Sequence, residues 1–337
     1  MQLKPIHQQV VVVVGASSGI GRDAALAFAQ RGAQVTVAAR NQEALDSLVN
    51  EIQRSGGKAI AVLADVADFE QVQAIAAAAV AAFGRIDTWV HCAAAGMVAT
   101  FETMTLEEFR RVIDVTLMGQ IYGARAALPY LKQTGQGSLI AISSMEGRRA
   151  LPLQSAYSTA KHGLEGFVES LRVELEHDGF DINVTSIKPA VINTPFYNHA
   201  RTKIGVKPTG IPPYYSPGLV TEAILYAAEH PTRDYIVGDV GRVLDWAQRL
   251  APALLDIVLA RIGFQGQQTN EPKLPQDPDN LFEPMSGYEQ AEGDFEHLSV
   301  PSVSDWVVKN PMPVAGAIAL GAAVVLAANA FKKGKSS

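Results

Sequence analysis

Seven apolar runs of strand length recur up to Gly238, each followed by a stretch with helical patterning. They are Val10–Val14, AQVTVAA (33–39), KAIAVLA (58–64), IDTWVHC (86–92), SLIAIS (138–143), INVTSIK (182–188) and DYIVG (234–238). Most are nearly continuous in apolar character instead of alternating, so both faces of each strand need cover. Crossover helices on the two sides of a parallel sheet supply it. The alternation therefore predicts an α/β chain of βαβ units around a two-sided parallel sheet. Helix ends are legible too: Asn41 precedes QEALDSLVNEIQRS, Thr105 with Glu108 makes a capping box, and Ser216-Pro217 opens a helix that stops before Pro231.

A chain of 337 residues with 48% apolar composition suffices for one large domain with appendages. The net charge of -6, without a Lys/Arg block, argues against a nucleic-acid partner. Cys92 is the single cysteine, so no intramolecular disulfide can form and a reducing compartment is expected. The first residues, MQLKPIHQQ, interrupt too soon to be a signal-peptide core, and a cytoplasmic location is expected. The seven histidines have no metal-ligand spacing with acids or Cys92, and G-x-S-x-G is absent, so neither a metal site nor a hydrolase is expected.

Residues 1–245 are read as the α/β domain and 246–264 as an amphipathic helix packed on it. Its stretch LAPALLDIVLARIGF (250–264) suits core, lipid or a partner subunit. Residues 265–300 hold eight acidic residues against one lysine, a net of -7, with four prolines, and 265–310 is read as a solvated linker. The last part, 311–337, contains 20 uncharged residues (312–331) followed by Lys332, Lys333 and Lys335. That length matches a hydrocarbon core of roughly 30 Å, which makes membrane association one expectation. Eight alanines and Asn329 within it make a helix docked on another subunit the alternative.

GASSGIG places Gly15, Gly19 and Gly21 between the first strand and a helix, with Ser17, Ser18 and Ile20 in the turn. Such a turn offers main-chain N–H groups and the positive end of the helix dipole to a pyrophosphate. By itself the motif also fits a plain strand-to-helix turn. At the end of the second strand, where a carboxylate would bind a ribose 2′-hydroxyl, Ala39 and then Arg40 stand. A guanidinium suits a 2′-phosphate, so NADP is preferred to NAD. Asp65-Val66 closes the third strand, Asp65 either accepting from an adenine amino group or capping the helix that starts near Phe69.

In YSTAK, Tyr157 and Lys161 lie four apart within a helical pattern and share a face. An ammonium near a phenol stabilises the phenolate and lowers its pKa from roughly 10, which equips a tyrosine as general acid or base. Ser144, at the end of SLIAIS, is placed to donate to a substrate oxygen.

Taken together, the glycine turn, Asp65-Val66, Ser144, Tyr157, Lys161 and KPAVINTP (188–195) resemble a short-chain dehydrogenase/reductase of the single-domain type over about residues 8–243. The resemblance implies a Rossmann-like, doubly wound parallel sheet with helices on both faces, here with a C-terminal extension. It implies hydride transfer between a nicotinamide and a carbonyl or alcohol carbon of a small molecule. Tyr157 would exchange the proton, Lys161 would bind the nicotinamide ribose and lower the tyrosine pKa, and Ser144 would orient the substrate oxygen. Ala93 and Pro189 would line the cofactor, with Asn193 and Thr194 at its carboxamide end. A homodimer or homotetramer is expected.

Three positions depart from the family pattern. Val14 replaces a threonine. His91-Cys92-Ala93-Ala94 replaces Asn-Asn-Ala-Gly, which steadies the central sheet, so His91 needs another partner. Thr116 replaces the asparagine that helps hold a proton-relay water, although its hydroxyl can itself bind water. Substrate choice is expected from Ala190–Pro217, with Phe196, Tyr197, Ile204, Ile211, Tyr214 and Tyr215 favouring an apolar ketone or alcohol. The competing function is a non-catalytic NADP-binding sensor or scaffold, which Thr116 alone favours.

Overall fold

The computed structural model describes residues 2–303 and Asp305. All seven expected runs become strands of one sheet: β1 (Val10–Val14), β2 (Gln34–Ala39), β3 (Lys58–Leu63), β4 (Thr88–His91), β6 (Gln136–Ile142), β7 (Asp181–Pro189) and β10 (Asp234–Val237). Short strands β5 (Met97–Val98), β8 (Arg201–Thr202), β9 (Val206–Pro208) and β11 (Gln268–Pro272) lie outside it. The sheet order is β10-β7-β6-β4-β1-β2-β3 and every pairing is parallel. The strand order reverses between β1 and β4, which opens a crevice at their C-terminal ends.

The valines of β1 show why the pattern works. Val12 and Val14 face one core with Trp89, Ile75 and Leu164, while Val11 and Val13 face the other with Phe28, Leu45 and Ile224. All five are fully buried, each contributing about 1.5–3 kcal/mol of apolar burial. The helices that cover them are α1 (Gly19–Gln30), α2 (Gln42–Arg54), α3 (Phe69–Phe83), α4 (Leu106–Ile113), α5 (Gly119–Thr134), α6 (Ser155–His177) and α8 (Pro217–Glu229), with a single turn α7 (Phe196–His199) between β7 and β8.

The expected caps are present. Asn41 accepts from the Ala44 N–H at 3.0 Å, Thr105 and Glu108 form the full capping box, and the Ser216 hydroxyl starts α8. Asp65 is not a cap: α3 is capped by Asp68, which accepts from the N–H groups of Glu70 and Gln71. A five-residue π turn, Asp114–Met118, joins α4 to α5.

Two expectations about the extension are corrected. The domain boundary at 245 and a single helix over 246–264 give way to α9 (Asp239–Leu250) and α10 (Pro252–Ile262). Pro252 lacks the N–H that would continue α9, and the chain breaks at Ala251. Residues 265–300 are no solvated linker, because the compact unit continues to Val300. β11 pairs with β9, Leu281 is fully buried and Phe295 is 5% exposed. The acids that suggested solvation instead meet cations of the domain: Asp279 accepts from Arg201 at 2.8 Å and Asp294 from Lys207 at 2.8 Å. The apolar segment 312–331, read as a membrane or docking element, lies outside the described residues. Among the described residues no helix is long and apolar enough to cross a membrane.

Candidate active site

At the C-terminal end of β1 the chain turns sharply through Gly15, where φ is +83°. A Cβ there would sit 2.5 Å from the Ala93 nitrogen, and one on Gly21 would sit 2.2 Å from the Gly15 oxygen. Only glycine permits this closeness, which brings the N-terminus of α1 against the loop after β4. A groove of about 180 Å³ results. It is lined by Gly15, Ser17, Ser18, Gly19, Ile20 and Gly21 on one side and by Arg40, Asp65, Val66, Ala93 and Thr194 around them.

Arg40 stands just beyond β2 with its guanidinium 4.0 Å from Asp65, and burial holds its pKa below the usual value. Asp65 accepts from Arg111 at 2.5 Å and from the Ala67 N–H at 2.9 Å. Asn193 lies beside the groove without lining it. Its main-chain and side-chain oxygens accept from the Gly293 and Phe295 N–H groups at 3.2 and 2.9 Å.

Ile20, Cys92, Ala94, Thr194 and Phe196 also border a second cavity of about 400 Å³, so groove and cavity adjoin across these shared walls. Ser144, Tyr157, Lys161 and Pro189 all line this cavity. Ser144 follows β6 and caps the turn Met145–Gly147, accepting from the Glu146 N–H at 3.0 Å. Its hydroxyl also lies close enough to the Tyr157 phenol to favour the phenolate. The Lys161 ammonium donates to the Ile142 carbonyl at 2.7 Å and lies 5.4 Å from the centre of the Tyr157 ring. The walls are mostly apolar, from Phe196, Tyr197 and Ile211 together with Leu255, Val258 and Leu259 of α10. A larger surface hollow of about 590 Å³ borders Gln9, Gln34 and Lys58 at the opposite, N-terminal ends of β1–β3, far from this chemistry.

Electrostatics departs from expectation. Burial raises the Tyr157 pKa above that of a free phenol, the nearby Glu146 carboxylate adds to the rise, and the neighbouring Ser144 hydroxyl opposes it. Burial, and not the Lys161 ammonium, thus sets the direction of the phenol's shift. Burial also lowers Lys161 to about 8, against the opposing pull of Cys92, Glu165 and Glu146. Glu146 itself is pushed up to about 8 by burial, with Ser158 donating to its carboxylate at 2.6 Å.

Thr116 enters neither space. Fully buried in the π turn, its hydroxyl accepts from the Ala95 N–H at 3.0 Å, so it steadies the loop after β4 and is not held out to a water. The missing sheet-steadying asparagine has a substitute in Gln120, whose amide donates to the carbonyls of His91 at 3.1 Å and Ile142 at 3.3 Å. The His91 ring did not acquire the partner it needed: both nitrogens are buried without a hydrogen bond, and burial lowers its pKa to about 3.

Of the aromatic residues expected to shape the substrate pocket, Phe196 and Tyr197 do so, with Phe196 tilted against Tyr157 at 5.3 Å. Tyr214 and Tyr215 are instead core residues, and Ile204 lies away from the cavity. Sequence reasoning missed Glu146 and the α10 wall. The spacing Leu255, Val258, Leu259, Ile262 was the only signal of that wall and resembles any apolar helix face, and Glu146 had none.

Comparison with known proteins agrees with this geometry. The profile of the family described as short chain dehydrogenase matches residues 9–205. The oxidoreductase YxnA of Bacillus subtilis is 39% identical over 289 residues, covering 85% of this chain and 81% of that protein. Dehydrogenase/reductase SDR family member 7B of Bos taurus is 31% identical over 266 residues, covering 76% and 81%. Among solved structures, an alcohol dehydrogenase from the archaeon Thermococcus sibiricus complexed with 5-hydroxy-NADP superposes with a TM-score of 0.59 at 25% identity, covering 67% of this chain and 94% of that one.

The chain belongs to the short chain dehydrogenase family. It is an oxidoreductase of that family, acting on CH–OH or C=O groups.

Proposed function

We propose that the protein transfers a hydride between NADP(H) and the carbonyl or alcohol carbon of an apolar small molecule, with Tyr157 as general acid and base. The observation that carries this reading is the adjacency of the two spaces across shared walls. A groove built on the glycine turn adjoins a cavity that Ser144, Tyr157 and Lys161 all line. The groove suits a dinucleotide, because α1 presents its N-terminus there and Arg40 offers a guanidinium at the end of β2. The nicotinamide supplies or accepts the hydride.

In the reducing direction the neutral Tyr157 gives its phenolic proton to the substrate oxygen as that oxygen gains charge, and Ser144 donates a hydrogen bond to it. The Lys161 ammonium then balances the phenolate until a proton returns. The raised phenol pKa keeps the donor form populated at neutral pH, which suits reduction more than oxidation. An apolar substrate is favoured by the Phe196, Ile211 and α10 walls. The related protein solved with 5-hydroxy-NADP supports the choice of cofactor, as does Arg40 in place of an acid.

The test is oxidation of NADPH by purified protein across a panel of apolar ketones and aldehydes, with NADH in parallel. Turnover with at least one carbonyl compound is expected. Tight NADPH binding without turnover of any of them would instead support the sensor or scaffold alternative.

A further inference from the structure

The chain from Asp279 to Phe295 follows α10 and β11, and its main chain meets residues in and beside the groove at several points. At one end Arg40 donates to the carbonyls of Asn280 and Phe282, the latter at 2.8 Å, and the Asn41 amide donates to the Met285 carbonyl at 3.3 Å. Midway the Gly19 N–H, at the start of α1, donates to the Gln290 carbonyl at 2.9 Å. At the far end the Gly293 and Phe295 N–H groups reach the two oxygens of Asn193. Asn280, Pro284 and Met285 line the groove opposite the glycine turn. The segment thus touches the turn at Gly19 and leaves a space of about 180 Å³ beside this contact, so a bound dinucleotide would have to displace the Gln290 carbonyl from the Gly19 N–H.

The segment is held down at both ends. Leu281 is fully buried in the core with Val112 and Val115, and Arg111 donates to its carbonyl at 2.9 Å. Phe295 stacks on Tyr214 with centroids 4.8 Å apart, and Asp294 takes donors from Asn198 at 2.5 Å and Lys207 at 2.8 Å. Between these anchors, Glu283 to Glu292 offer no fully buried side chain. A span fixed at its ends and lightly packed between them can lift without unfolding the sheet.

Resting on the cofactor assignment above, we propose that residues 279–295 form the outer wall of the dinucleotide site. The cofactor is held beneath this strap, and it enters and leaves only when the strap lifts. Enclosure of this kind slows exchange in both directions and shields the groove from water.

Two full-length variants test this. Gly293→Val places a side chain where even a Cβ would lie 2.4 Å from the Thr194 oxygen, which forces the strap outward. Asp294→Ala removes both side-chain anchors with little change in bulk. NADPH fluorescence in stopped flow should show association and dissociation both accelerated, by about tenfold or more for Gly293→Val and less for Asp294→Ala. Hydrogen exchange on the wild-type protein should show the 283–292 amides gaining protection when NADPH binds. Unchanged rates in both variants overturn the proposal, as does faster association with unaltered dissociation, or loss of protection on binding, because the strap would then be a competitor of the cofactor. Failure of the wild-type protein to bind either NADPH or NADH overturns the cofactor assignment and the strap's role with it. Binding with unchanged exchange rates overturns the strap alone.

Discussion

The hydroxyl of Ser158, the residue after Tyr157, donates to the Glu146 carboxylate at 2.6 Å. This bond ties a second acid to the wall of the reaction cavity, two residues beyond Ser144, and Glu146 titrates near 8 because it is buried.

Its charge raises the phenol pKa, so Glu146→Gln should lower it. Alcohol oxidation needs the phenolate, and its rate should climb at lower pH in Glu146→Gln than in the wild-type protein. The sign for stability also follows. A carboxyl whose folded pKa lies above its unfolded value contributes stability that is present below the unfolded value and lost as pH rises through about 8. Denaturant midpoints between pH 5 and 9 should fall less steeply for the glutamine variant. Identical profiles for both proteins would show that Glu146 is not coupled to Tyr157.

Tyr157→Phe should reduce turnover by about 10²-fold or more while NADPH affinity changes little, since the proton is lost and the ring against Phe196 is kept. Steady-state kinetics and a fluorescence titration read the two quantities separately. Activity within a few-fold of the wild-type protein would move the proton donor elsewhere.

Arg40→Leu separates two roles of one guanidinium. Loss of a charge-assisted bond worth about 1.5–3 kcal/mol should weaken NADPH binding by one to two orders of magnitude and leave NADH nearly unchanged if Arg40 meets the 2′-phosphate. Equal weakening of both would mean that its bonds to Asn280 and Phe282 are its main service.

Thr116→Val removes the hydroxyl that meets the Ala95 N–H and should cost about 1–3 kcal/mol, because a buried donor is left unpaired. Thr116→Ser should restore most of that stability. If valine is tolerated without loss in thermal melts, the hydroxyl does not organise the loop after β4.

The parts legible from the sequence are those whose physics is local. Continuous valines in β1 report a strand covered on both faces, the glycines report a turn too tight for a Cβ, and a four-residue spacing puts Tyr157 and Lys161 on one helix face. The strap was read as a solvated linker because its groove contacts run through carbonyls and N–H groups at Asn280, Phe282, Gln290 and Gly293, which every residue type carries. Its acids resemble a solvated tract until Arg201 and Lys207 are seen beside them. The upward shift of Tyr157 was hidden for a related reason. Desolvation sums over the whole surroundings of a group, and spacing along a helix says nothing of it.

Strand β10 ends at Val237, so every strand of the central sheet has been synthesised before α10 begins at Pro252 and well before the strap. On the ribosome, the sheet and the glycine turn can form while the groove still lacks its outer wall. A cofactor captured at that stage would meet an open face, and the strap, emerging later, would close over a site already occupied. With the strap acting as proposed, the order of synthesis would offer this chain a loading step that the finished protein would have to recreate by lifting its own backbone.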